Sequence, residues 1–226
     1  MPHPQHFAFI LVDEFSHLAF SCAVEPLRIA NLISGQQLYA WSLASESGVS
    51  ATCSNGTVTL VHHALDALPR CDHLFVLSGI HMDRHATPAL LAALRRERAR
   101  GTAIGALCSG AYILAHAGFL DGMPAAIHWD YHDSFMEAFP DVHLVRHVFV
   151  PDARHVTASG GTATADLMLH MIAQAHGQDL SVAVADMMVY NAVRDATAEQ
   201  RVSLQSRNGM RNAHLAYAVQ RMQDSI

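Results

Sequence analysis

One cysteine stands where a short apolar strand runs out and a helix begins, in Thr102-Ala-Ile-Gly-Ala-Leu-Cys108-Ser-Gly-Ala-Tyr-Ile-Leu-Ala-His116. The pattern predicts a nucleophile elbow. Such a turn forces the cysteine backbone into a strained region and raises its side chain at the carboxyl edge of a sheet, facing the amides that open the next helix. Gly105, Ala106, Gly110 and Ala111 permit the close approach of strand and helix. Free amides and the helix dipole favour negative charge, so Cys108 is expected to ionise easily and to be the first cysteine modified. The same amides suit a ligand carboxylate.

Two more side chains complete a possible reacting set. Glu25, early on the helix after the first strand, is expected to project over the same sheet edge and share a proton with Cys108. His128, at the end of the strand after the elbow helix, can form a Cys–His–acid set oriented by Glu25 or Asp130. Asp13, Phe15 and Ser16 at the end of the first strand, Ser78 and Gly79 at the end of the fourth, and Ser109 beside the thiol are expected to line the crevice. Trp129 offers an aromatic wall to a cationic headgroup. The histidine pairs His81/His85, His128/His132 and His143/His147 lack a third ligand at metal spacing, so neither a metal nor another cofactor is expected.

The elements that must hold these groups follow from periodicity. Phe7–Asp13, Tyr39–Ser45, Thr57–Val61, His73–Ser78, Thr102–Leu107, Ala125–Trp129, Val142–Val150 and Val156–Ser159 read as strands. Ala19–Ile33, Pro88–Arg100, Ser109–Phe119, Tyr131–Ala138, Thr162–His176 and Leu180–Tyr190 read as helices. Near-continuous apolar strands alternating with helices predict an α/β fold, a doubly wound, mostly parallel sheet with helices on both faces.

At 226 residues with 51% hydrophobic side chains, the chain can bury one large core. Its apolar runs fall short of the ~18–20 residues that span a bilayer, and the start carries no signal-like pattern, so a cytoplasmic protein without membrane contact is expected. Four cysteines without C-x-x-C spacing argue against a disulfide framework. Every basic side chain is arginine; residues 1–190 carry 17 acids and 9 Arg (−8), residues 191–226 carry 3 acids and 5 Arg (+2). An acidic globular part does not attract nucleic acid by itself. The switch predicts a boundary at 190/191, with 1–190 a ligand-binding domain, Asn191–Arg211 a linker and His214–Met222 an amphipathic helix whose apolar face asks for a partner, hence a homodimer.

Ser21-Cys-Ala-Val-Glu25-Pro26-Leu27-Arg28-Ile-Ala-Asn31, the Cys108 elbow, Ile127-His128-Trp129 and Ala158-Ser159-Gly160-Gly161 together resemble the ThiJ/PfpI branch of the class I glutamine amidotransferase-like, flavodoxin-like fold. More narrowly, residues 7–190 resemble the N-terminal sensor domain of AraC/XylS-type transcription regulators. The resemblance implies a small-molecule effector of the amine, amino-acid or quaternary-ammonium kind in the elbow crevice, with DNA contacted only through a C-terminal helix-turn-helix domain. Its alternative is a thiol-dependent enzyme, an isonitrile hydratase or glyoxalase-like lyase using Cys108, Glu25 and His128. Ser109 stands where peptidase-like members carry histidine, and His128-Trp-Asp130 replaces the late His-x-Glu pair of glutamine amidotransferases; both departures point away from hydrolysis.

Overall fold

Strand β1 (Gln5–Leu11) shows why the sheet is covered on both faces. Successive side chains of a strand point in opposite directions, and here both directions are apolar. Phe7, Phe9 and Leu11 enter one core with α1 (His17–Ser34), α6 (Ala163–His176) and α7 (Gln178–Met187). Ala8 and Ile10 enter the other, with α3 (Pro88–Ala99), α4 (Gly110–His116) and α5 (His132–Ala138). Strand β6 (His73–Leu77) repeats the division, with Phe75 and Leu77 on the first side and Leu74 and Val76 on the second.

The computed structural model describes residues 3–152, 155–200 and 221–222. Among them, one sheet has the order β10 (Phe149–Val150), β11 (His155–Ala158), β7 (Ala103–Leu107), β6, β1, β2 (Tyr39–Ser45), β5 (His63–Ala64). All neighbours are parallel except β10 and β11. From β1 the chain moves first to β2 on one side and later to β6 on the other. The crevice outside the carboxyl ends of β1 and β6 is therefore the switch point where ligands bind in doubly wound sheets.

Local signals set the helix ends. Ser16 Oγ accepts the Ala19 amide at 3.3 Å to start α1, which stops at Gly35 with φ 64°. Thr87 Oγ1 accepts the Leu90 amide at 3.2 Å ahead of Pro88, whose fixed φ suits the first helical position.

Three expected strands differ. Thr57–Val61 contributes only β4 (Val58–Leu60), which pairs with β3 (Ser50–Thr52) in a hairpin outside the main sheet. Ala125–Trp129 shrinks to β8 (Pro124–Ala125), and Trp129–Tyr131 coils into a 3-10 turn. Val142–Val150 splits into β9 (His143–Leu144), paired with β8, and β10, because Arg146 and His147 turn to meet the chain at residues 199–200. The short helix α2 (Met82–His85) had no periodic signal.

The boundary expected at 190/191 is not a break in packing. The Arg194 guanidinium binds Asp166 on α6, and the Ala198 carbonyl accepts the Val148 amide at 2.8 Å. Packed chain therefore continues through Gln200. The amphipathic helix expected over His214–Met222 lies outside the described residues, apart from the exposed helical pair Arg221–Met222.

Candidate functional site

Cys108 has φ 59°, the left-handed strain expected of an elbow, and its amide donates to Ala158 O at 3.0 Å. The turn closes because its neighbours lack side chains. A Cβ on Gly110 would lie 2.3 Å from Val76 O, and a Cβ on Gly160 (φ 90°) 2.9 Å from the Cys108 sulfur. Gly160 thus rests directly against the thiol. Only 7% of Cys108 is exposed, and burial pushes its thiol up to about 11, with the Ser109 backbone amide pulling weakly the other way. This corrects the expected easy ionisation: desolvation outweighs the elbow amides.

Three loops meet beside the elbow. The Ser16 amide donates to Ser78 O at 3.4 Å, and Ser109 Oγ donates to Gly79 O, stitching the loops after β1, β6 and β7 together. Gly79 admits no side chain, since a Cβ would fall 2.1 Å from Glu14 O. Ser78 is fully buried, with its hydroxyl unpartnered among the described residues. Phe15 is also fully buried, packed edge-on against Phe20 at 5.9 Å.

The catalytic set is not assembled. Glu25 is nine residues beyond Ser16, about 13 Å along the helix axis at ~1.5 Å per residue. There its carboxylate forms a forked, exposed pair with Arg28 at 2.7–3.1 Å. His128 Nδ1 accepts the Asp130 amide at 3.4 Å, and burial lowers its pKa against the pull of Asp130, leaving a neutral ring at pH 7. No hydrogen bond joins Cys108 to Glu25, His128 or Asp130 among the described residues. Trp129 lies 5.5 Å from the His128 ring, centroid to centroid. Asp13 Oδ1 accepts the Thr52 amide at 2.8 Å, and Asp13 borders a cavity of about 50 Å³ with Ser45, Glu46 and His85.

Two residues were missed. Tyr131, whose hydroxyl is pushed up by burial and secondarily by the charge of Cys108, lies within electrostatic reach of the elbow; its place three residues after His128 is the signal that could have found it. Glu14 has φ 64° and binds His81 Nδ1 at 2.8 Å and His85 Nε2 at 3.2 Å, and the hydrogen bonds from His81 and then His85 hold its carboxyl below the usual range. Nothing in the order Asp13-Glu14-Phe15 marks that pairing. Among the described residues no group of three or more His, Cys, Asp or Glu side chains, the Glu14–His81–His85 set included, is arranged to hold a metal ion.

The alkaline limb follows from burial. Cys108 and Cys71 rise from 9.0 to about 11 and Tyr39 from 10.0 to about 12, so each favours the folded state fully below its unfolded pKa and loses that contribution as pH climbs through the folded one. The urea midpoint is expected to fall across pH 9–12, less steeply in Cys108→Ser; a midpoint constant to pH 11 would contradict the buried thiols.

Comparison with known proteins places this geometry. The DJ-1/PfpI family model matches residues 6–174. The HTH-type transcriptional regulator GbdR of Pseudomonas aeruginosa is 35% identical over 224 residues, 99% of this chain and 61% of its own length. The HTH-type transcriptional regulator CdhR of the same organism is 38% identical over 219 residues, 97% of this chain and 65% of its own. The chain thus spans less than two thirds of these relatives. A crystal structure of an AraC family transcriptional regulator from Pseudomonas putida superposes with TM-score 0.73 at 27% identity, covering 82% of this chain and 100% of that one.

Proposed function

The chain belongs to the DJ-1/PfpI family, and from that premise we propose that it is the effector-sensing part of an AraC-type transcription regulator, binding a small amine, amino acid or quaternary ammonium compound in the crevice at the Cys108 elbow. The observation that carries this reading is an elbow kept in shape without its chemistry. The strained Cys108 backbone and the bare Gly160 remain, while the thiol is buried, holds its proton and has neither histidine nor carboxylate bonded to it. Crevice residues Ser78, Gly79, Ser109, His128, Trp129 and Tyr131 then recognise rather than transform. The relatives support the role by their names, HTH-type transcriptional regulators. DNA contact belongs in this reading to a helix-turn-helix part outside these residues, and the setting is the cytoplasm; no described helix is long and apolar enough to cross a membrane.

Calorimetry of the 226-residue chain against a panel of amines, amino acids and quaternary ammonium compounds tests the proposal. Cys108→Ser should change affinity by only ~1 kcal/mol, the scale of one net hydrogen bond. Glu25→Gln, in its exposed pair with Arg28, should leave affinity unchanged. Turnover of an isonitrile or dicarbonyl by the wild type, abolished in Cys108→Ser, would replace sensor by enzyme.

Homodimerisation is part of the same reading. Val49, Val58 and Leu60 on the β3–β4 hairpin face solvent at 58–74% exposure, an apolar edge that is costly in water. Light scattering at ~50 μM should give twice the chain's 24.6 kDa; a monomer mass would remove the dimer.

A further inference from the structure

The segment 191–200, beyond the last helix of the sheet, is tied at one end to the turn that rests against Cys108 and at the other to the turn whose Tyr131 hydroxyl feels the Cys108 charge. At its start, the Arg194 amide and Nε donate to Asp166 Oδ1 and Oδ2 at 2.9 and 2.8 Å, and one guanidinium nitrogen donates to Thr162 Oγ1 at 2.9 Å. Thr162 follows the Gly160-Gly161 turn (φ 90° and 55°), and Gly160 is the residue that rests against the thiol. At its end, Gln200 Nε2 donates to Ile127 O at 2.9 Å and His147 O at 3.1 Å. Ile127 precedes His128 and leads into the Trp129–Tyr131 turn. A third link closes the circuit: the Val148 amide donates to Ala198 O, and the Ser159 amide, one residue before Gly160, donates to Val148 O, both at 2.8 Å.

We infer that residues 194–200 form a strap that reads the occupancy of the Cys108 crevice and passes it to the chain leaving at Gln200. The inference rests on the sensing reading for its purpose, but the coupling it asserts is a property of this chain alone. The 159–162 turn, which rests against the thiol, and the 127–131 turn, whose Tyr131 feels its charge, are the two walls of this reading; both are anchored to one short segment, so neither can shift without moving the strap or breaking an anchor. The anchor at Asp166 resists breaking, because that carboxylate is buried and loses its cation when Arg194 leaves. The strap therefore moves with the walls instead of fraying away from them, and coupling of this kind is reciprocal.

Iodoacetamide supplies both directions of the test in the 226-residue chain at pH 8. Gln200→Ala and Thr162→Val each remove one anchor without unpairing Asp166, and each should speed alkylation of Cys108 about tenfold by loosening one wall. Cys71, at the opposite edge of the sheet beside Arg70 and Thr102, should change by less than about twofold. Arg28→Ala, breaking an exposed pair away from the strap, should move neither. Conversely, a carbamidomethyl group on Cys108 should accelerate hydrogen exchange at the Val148 and Gln200 amides about tenfold and leave Ile10 in β1 unchanged. An unchanged Cys108 rate in both variants, an equal rise at Cys71, or unchanged strap exchange in the alkylated protein would each overturn the strap. Loss of the coupling with calorimetric binding intact would leave the sensing reading standing; coupling without binding of any panel member would do the reverse.

Discussion

Arg194→Ala should lower the unfolding free energy by about 3–5 kcal/mol, because it leaves a buried carboxylate without its cation. Asp166 is 1% exposed and receives the Arg194 amide, the Arg194 guanidinium and the Tyr190 hydroxyl, the last at 3.0 Å. Burial works against the Arg194 charge, yet Asp166 more than offsets it and its pKa ends up raised. The two halves of the pair are unequal. Arg194 keeps about a third of its side chain in solvent and can rehydrate, whereas Asp166 cannot. Asp166→Ala should therefore cost less than Arg194→Ala, and the double variant should regain part of the loss because no charge stays buried. Urea denaturation of the three variants measures this directly; an Arg194→Ala loss no larger than that of Asp166→Ala would refute the asymmetry.

Cys108 is expected to alkylate on the order of 100-fold more slowly in the folded chain than in urea at pH 8. The thiol rises from 9.0 to about 11, two units, and reaction follows the thiolate fraction. Steric exclusion in a site 7% exposed slows it further. Mass-spectrometric mapping of the time course gives the rate at each cysteine. If Cys108 instead reacts fastest, the elbow holds a thiolate, and the isonitrile hydratase or lyase reading gains the nucleophile that it requires.

The fold was legible because its signal is redundant. A buried parallel sheet asks every central strand for an unbroken apolar run, and β1, β6 and β7 each supply one. The edges were not legible. Val142–Val150 has strand composition throughout, but it breaks at Arg146 and His147, where contacts with Glu199 and Gln200 take the backbone, and no local pattern reports a partner fifty residues away. The elbow was readable from small residues around Cys108, since a close approach forbids side chains whatever lies on the other side. The protonation state was not, because desolvation depends on what covers the thiol, and Gly160, which rests against it, comes from a segment about fifty residues away. Glu25 shows the same limit in another form: its type suited the chemistry, while the rise of α1 carries it away from the crevice to Arg28.

The two outermost strands of the sheet, His63–Ala64 and Phe149–Val150, are each two residues long. A neighbouring molecule that tried to extend the sheet would find only one or two free backbone groups at either margin, too few to template a new strand. Ribbon-like growth from chain to chain, the hazard of apolar parallel sheets, is thereby blocked at its first step. Self-association through the described residues is directed to side-chain surfaces, on helices or the hairpin, where an isologous contact closes at two copies instead of propagating.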